Sequence, residues 1–120
     1  MRMGVVLMQR VNVVRVVCSV IGVGLACSVH ASDLPDIKLS IKNHQFTPAE
    51  IVVPAKQKVR FVIENQDDSA EEFESYELNR EKVVPAKSVV NIYIGPLEPG
   101  RYPFVGEFHQ DTAKGVVVVK

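Results

Sequence analysis

The sequence predicts an all-β fold, a Greek-key antiparallel β-sandwich, on three observations. Apolar and polar residues alternate in successive short runs, proline and glycine separate those runs, and no segment beyond residue 31 repeats with helical period. The first run sets Ile37, Leu39 and Ile41 on one face, and Ile51-Val52-Val53 follows after Pro48. Val59, Phe61 and Ile63 alternate in the next run, and a less patterned stretch leads from Phe73 to Leu78. Val90, Ile92 and Ile94 alternate again, Tyr102 to Phe108 follows Pro99-Gly100, and Val116 to Val119 closes the chain after Gly115. Period two means strands with one buried face, and about seven short strands at this spacing pack as two sheets. The four consecutive valines predict a last strand buried on both faces and central in its sheet.

The first fifteen residues carry Arg2, Arg10 and Arg15 and no acid, and they lead into an uncharged, largely apolar run from Val16 to Val29. These are the charged and apolar regions of an export signal. A spanning helix needs roughly 20 apolar residues, which this run does not reach, and nothing apolar extends it past His30. Val29-His30-Ala31 supplies small residues at the −3 and −1 positions of a cleavage site. Residues 1–31 are therefore expected to be a signal peptide cut after Ala31, residues 32–36 a polar leader and residues 37–120 one domain, exported to the periplasm. Lipidation at Cys27 is the rival, with Ala26 suitably placed but Gly24 where leucine is wanted.

That cut changes the chemistry on offer. Both cysteines, all three methionines and His30 lie before it, so the remaining chain has no sulfur ligand, no disulfide and two histidines, His44 and His109. Three arginines leave as well, and 11 basic residues then face 14 acidic ones, a net charge of −3. A mildly acidic domain is not a nucleic-acid binder by electrostatics and has no attraction to anionic lipid. Its size suffices for one domain held by apolar packing alone.

Three segments carry candidate chemistry. His44 stands at the end of the first strand in Asn43-His44-Gln45-Phe46, where a lone histidine is more often a surface residue than a ligand. From Glu64 to Glu77 half of the residues are carboxylates, which usually means a solvated face. Gly106-Glu107-Phe108-His109-Gln110-Asp111 sets an imidazole between two carboxylates just before the last strand. Imidazole with carboxylate and no thiolate suits Fe, Mn, Zn or Cu(II) and disfavours Cu(I). Glu72 and Glu74 share one strand face and Glu71 and Phe73 the other, so only one set faces the site; periodicity leaves the choice open. No nucleophile elbow accompanies Ser69, Ser75 or Ser88, and no glycine-rich phosphate loop is present.

The order Asn43-His44-Gln45-Phe46-Thr47-Pro48, Ile51-Val52-Val53-Pro54-Ala55, Val59-Arg60-Phe61 to Asn65-x-Asp67, Glu72-Phe73-Glu74, Leu97-x-Pro99-Gly100-x-Tyr102 and Lys114-Gly115-Val116-Val117-Val118 resembles a cupredoxin domain. More narrowly, it is similar to the EfeO-type cupredoxin-like proteins of bacterial iron uptake, including the FtrB-like periplasmic proteins. Matched to blue-copper cupredoxins, the first histidine ligand becomes Glu71 or the adjoining Glu72. The cysteine becomes Gly106, the second histidine is kept as His109 and the methionine becomes Ala113. A type 1 copper centre is thereby excluded. The EfeO-type resemblance implies instead an iron or copper site drawn from His44, Glu72, Glu107 and His109, with Glu71 and Asp111 in reserve. It implies handling of ferrous or ferric iron, as oxidase or carrier, beside a periplasmic iron-binding protein and an inner-membrane iron permease; a homodimer stays open. Lys56 and Lys87 stand where the family's turns often have glycine, which predicts turns without positive φ.

Overall fold

The computed structural model describes residues 34–120; the expected export signal, its expected cut after Ala31 and Cys27 lie outside the described residues. Among the described residues, nine strands form two sheets. In the first, β1 (Asp36–Lys42) pairs with β2 (Gln45–Thr47) on one side and with β4 (Val59–Asn65) on the other, and β7 (Val89–Ile94) closes the edge. The second sheet runs in the order β3 (Glu50–Val53), β9 (Lys114–Val119), β8 (Gly100–Gly106), β5 (Glu71–Ser75), β6 (Arg80–Val84). A 3-10 turn, Glu107–His109, joins β8 to β9.

The expected sandwich is present, with corrections. Both sheets are mixed rather than antiparallel, because β1 runs parallel to β4 and β3 parallel to β9. Parallel neighbours need a crossover, and β2 and β3 supply it by carrying the chain from the first sheet to the second before β4 returns. The two strands beyond the expected seven are β2 and β6. β6 is exposed along Arg80–Val83 as the edge of its sheet, so it has no two-sided environment to impose alternation. β9 is interior to its sheet, between β3 and β8, but it is not buried on both faces. Val117 and Val119 point into the core, whereas Val116 and Val118 lie half-buried on the outer face.

Between the sheets, Phe46, Phe61, Phe73 and Phe104 form the centre of the core, Phe46 meeting Phe73 and Phe104 edge-on at 6.1 and 5.0 Å between centroids. Phe73 is fully buried, and this settles the facing of β5: Glu71, Phe73 and Ser75 turn inward, Glu72 and Glu74 outward. The turn lysines also differ from expectation. Lys56 and Lys87 have φ of 60° and 52°, so both turns use the left-handed region without glycine. Backbone bonds hold them there, from Lys56 N–H to Leu97 O at 2.8 Å and from Lys87 N–H to Asp67 O at 3.1 Å.

Candidate metal centre

Three side chains converge at one end of the sandwich. His44 lies in the two-residue connection between β1 and β2, since Lys42 pairs with Gln45 across it. Asn43 and His44 have φ of 51° and 57°, the combination a type I′ hairpin turn requires. Such turns favour Asn-Gly, and a non-glycine residue in the left-handed region costs roughly 1–2 kcal/mol. The turn is held from outside: Asn43 N–H donates to Asp67 Oδ1 at 2.7 Å and His44 N–H to Asp67 Oδ2 at 2.9 Å. These backbone donors, foremost that of His44, hold the Asp67 carboxyl below its ordinary range.

Glu71 opens β5 on the inward face, with 1% of its surface exposed. Burying a carboxylate requires partners, and Glu71 has three. Oε1 accepts from the backbone N–H groups of Glu72 and Phe108, both at 2.9 Å, and Oε2 lies 2.6 Å from His109 Nδ1. His109 ends the 3-10 turn, and its carbonyl accepts from Ala113 N–H at 2.8 Å. Its ring stacks on that of His44, 3.6 Å between centroids at 14°. One potential ligand atom from each of His44, Glu71 and His109 falls within 4.8 Å of the others. The two imidazoles reach solvent, with side chains 43% and 30% exposed.

The structure does not bring Glu72 or Glu107 to this cluster. Glu72 lies on the outer face of β5, where contact with Glu81 on β6 pushes its carboxyl up to about 7. Glu107 belongs to the same outer group. Its carboxyl is raised chiefly by Glu74, and it accepts from Gln110 Nε2 at 2.9 Å. The reason is strand parity: with Phe73 in the core, Glu72 and Glu74 must face out, and the 3-10 turn aims Glu107 toward them. Asp111 is exposed in the turn after His109. Of the expected residues, His44, His109 and the reserve Glu71 therefore meet. The residue that sequence reasoning missed is Asp67, hidden in a run of acids; no local pattern in the sequence joins it to the Asn43-His44 turn that it clamps.

The model of the family described as cupredoxin-like domain matches residues 15–119. The chain belongs to the cupredoxin-like domain family. A protein of Rickettsia prowazekii (strain Madrid E), described only as uncharacterized, is 48% identical over 84 residues, covering 70% of this chain and 67% of that relative. Among solved structures, the metal binding domain of the Cu(I) exporting P-type ATPase CopA of Streptococcus pneumoniae D39, with Cu(I), superposes at a TM-score of 0.64. It is 18% identical, over 71% of this chain and 84% of that one. The blue copper protein auracyanin A of Chloroflexus aurantiacus gives 0.61 at 12% identity, over 71% and 98%. Amicyanin of Paracoccus versutus gives 0.56 at 15%, over 73% and 86%. At these identities the likeness is one of fold. The donor set itself differs from a type 1 centre, since residues 34–120 contain no cysteine or methionine. Two imidazoles and a carboxylate fit Cu(II), Zn(II) or iron instead.

Proposed function

We propose that this domain binds a single transition metal ion, iron or Cu(II), through His44, Glu71 and His109 and passes it on as cargo. The observation that carries this reading is the convergence of those three ligands within 4.8 Å at a solvent-facing end of the sandwich. Glu71 contributes a negative charge already desolvated and aligned by two backbone donors, so little reorganisation is needed to receive a cation. The histidines supply the neutral donors. Three protein ligands leave coordination positions open to water or to a recipient's ligands, which suits exchange.

In the same reading the domain works in the periplasm, receiving iron from or delivering it to an iron-binding protein and an inner-membrane permease. The apolar, arginine-led N-terminus and the resemblance to the EfeO-type proteins support that placement, and carboxylate beside imidazole supports iron over Cu(I). The test is loading of the purified chain with Fe(II), Cu(II) or Zn(II), with metal counted by elemental analysis. Wild type retains a single ion, and His44→Ala with His109→Ala retains none. Equal loading of the two proteins would sink the site. Retention of copper with no retention of iron would remove the iron-uptake role alone.

A further inference from the structure

Beside the centre stands a second carboxylate that no ligand assignment uses. Asp67 sits in the β4–β5 connection with its side chain 13% exposed. Both of its oxygens are taken by the backbone of the His44 turn, at 2.7 and 2.9 Å. It also lies 3.6 Å from His44 Nδ1, an ion-pair separation slightly beyond hydrogen-bond length. Asp67 is itself fixed from the interior. Its N–H donates to Asn65 Oδ1 at 3.0 Å, and Asn65, 1% exposed, donates through Nδ2 to Ser69 O at 2.9 Å and Val84 O at 3.1 Å. A rigid path thus runs from β6 through Asn65 and Asp67 to a histidine held in a costly backbone conformation.

We propose that Asp67 is a positioning residue for the metal centre: its carboxylate locks the Asn43-His44 turn and draws the proton of neutral His44 onto Nδ1, leaving Nε2 as the donor. This rests on the metal-binding reading for its functional consequence, but the tautomer it specifies is a property of the metal-free protein. The physical basis is simple. A neutral imidazole carries one N–H, and a carboxylate facing Nδ1 favours the form with the hydrogen between them. Partners of this kind orient metal-binding histidines, and their loss typically costs about 10- to 100-fold in metal affinity. Asp67 is assigned to the clamp and not to the ligands because it stands outside the His44, Glu71 and His109 group whose ligand atoms converge within 4.8 Å.

Asp67→Asn is the decisive variant. It keeps one acceptor for the turn but presents an amide N–H₂ group where the other oxygen was. In the metal-free chain, long-range nitrogen–proton NMR of His44 shows Nδ1–H in the wild type and a shift toward Nε2–H in the variant. Zn(II) affinity, measured by competition with a chelator, falls about 10-fold or more. Asp68→Asn removes the same charge from an adjacent side chain that is 95% exposed, and leaves both readouts unchanged. Adding Asn43→Gly to Asp67→Asn relieves the turn and recovers thermal stability without restoring the tautomer, which separates positioning from mere folding. An unchanged His44 tautomer in Asp67→Asn overturns the proposal. So does a saturated Cu(II) complex whose electron paramagnetic resonance signature shows loss of an oxygen donor, which would make Asp67 a ligand. Failure of the wild type to bind Zn(II), with the tautomer result intact, removes the metal-binding reading and leaves the clamp.

Discussion

Gly106→Ala probes the centre from the side of the space it fills. Gly106 has φ of −87° and ψ of 108°, ordinary extended backbone, so glycine is there for room and not for conformation. A Cβ at this position would lie 2.6 Å from Ala113 Cβ, 2.6 Å from Glu71 Cδ and 2.9 Å from Glu71 Oε1. Ala113 cannot retreat: it is fully buried, and its carbonyl accepts from Gly106 N–H at 2.8 Å. The backbone at residue 106 must then shift off Ala113, and the carboxylate must give way. Overpacking of this kind costs about 1–3 kcal/mol, and each hydrogen bond to a charged group is worth about 1.5–3 kcal/mol. Loss of even one of the three bonds to Glu71 brings the expected destabilisation to about 3 kcal/mol. For a domain of this size that lowers Tm by about 12 °C or more. Thermal melts of the metal-free chain followed by circular dichroism read it directly. In a Glu71→Ala background the added cost of Gly106→Ala becomes smaller, since the displaced group is gone. A Tm lowered by less than about 4 °C, or full additivity of the two substitutions, would refute the idea that Glu71 fills this space.

The outer acidic face predicts a pH dependence. Glu72 titrates at about 7 in the fold against an ordinary 4.5, so between those values the folded protein holds the extra proton. Stability from this group is full below the ordinary value and is lost as pH rises through about 7. Glu81→Gln removes the first cause of the shift, so its Tm exceeds that of wild type at about pH 8 and the two converge at about pH 5; a constant offset across that range would contradict the assignment. Asp67 acts oppositely, its lowered carboxyl adding stability as pH rises, but its window lies below 3.8 and does not overlap. Separately, Lys56→Gly relieves a left-handed residue worth roughly 1–2 kcal/mol and gives back about 0.4–1 kcal/mol in the unfolded chain. The net effect is a Tm raised by a few degrees in the same melts, and a fall would show that the lysine side chain contributes more than its backbone costs.

Much of the sandwich was legible because burial is one-sided. Leu39 and Ile41, Phe61 and Ile63, Ile92 and Ile94 all face the core, as their alternation required. What escaped was set by tertiary environment. β6 has little inward face to advertise, and the parallel pairing of β3 with β9 depends on a crossover that no local pattern encodes. At the centre, the two histidines were visible as residue types, but their stacking joins the β1–β2 turn to the β8–β9 connection, a non-local event. The choice between Glu71 and Glu72 turned on Phe73. Once that ring is assigned to the core, period two leaves Glu71 inside and carries Glu72 out to the acidic face.

That parity explains how a cupredoxin-like end comes to hold a carboxylate. The resemblance puts Glu71 or the adjoining Glu72 where blue-copper proteins have their first histidine ligand and Gly106 where they have the cysteine, and of the two glutamates only Glu71 faces inward. In the structure positions 71 and 106 compete for one volume, the Glu71 carboxyl standing within 2.9 Å of any side chain begun at residue 106. A glutamate there is compatible with glycine opposite and with little else, and its charge is met by the Phe108 N–H that the following 3-10 turn presents. Reintroducing sulfur by Gly106→Cys alone would therefore drive the carboxylate from its donors before it built a thiolate site. The pair must change together, Glu71→His with Gly106→Cys, for Cu(II) to acquire the intense thiolate charge-transfer band of a blue-copper centre. Even then, Ala113 offers no axial thioether. Appearance of that band in Gly106→Cys with Glu71 intact would show that the two side chains fit side by side and that the space argument is wrong.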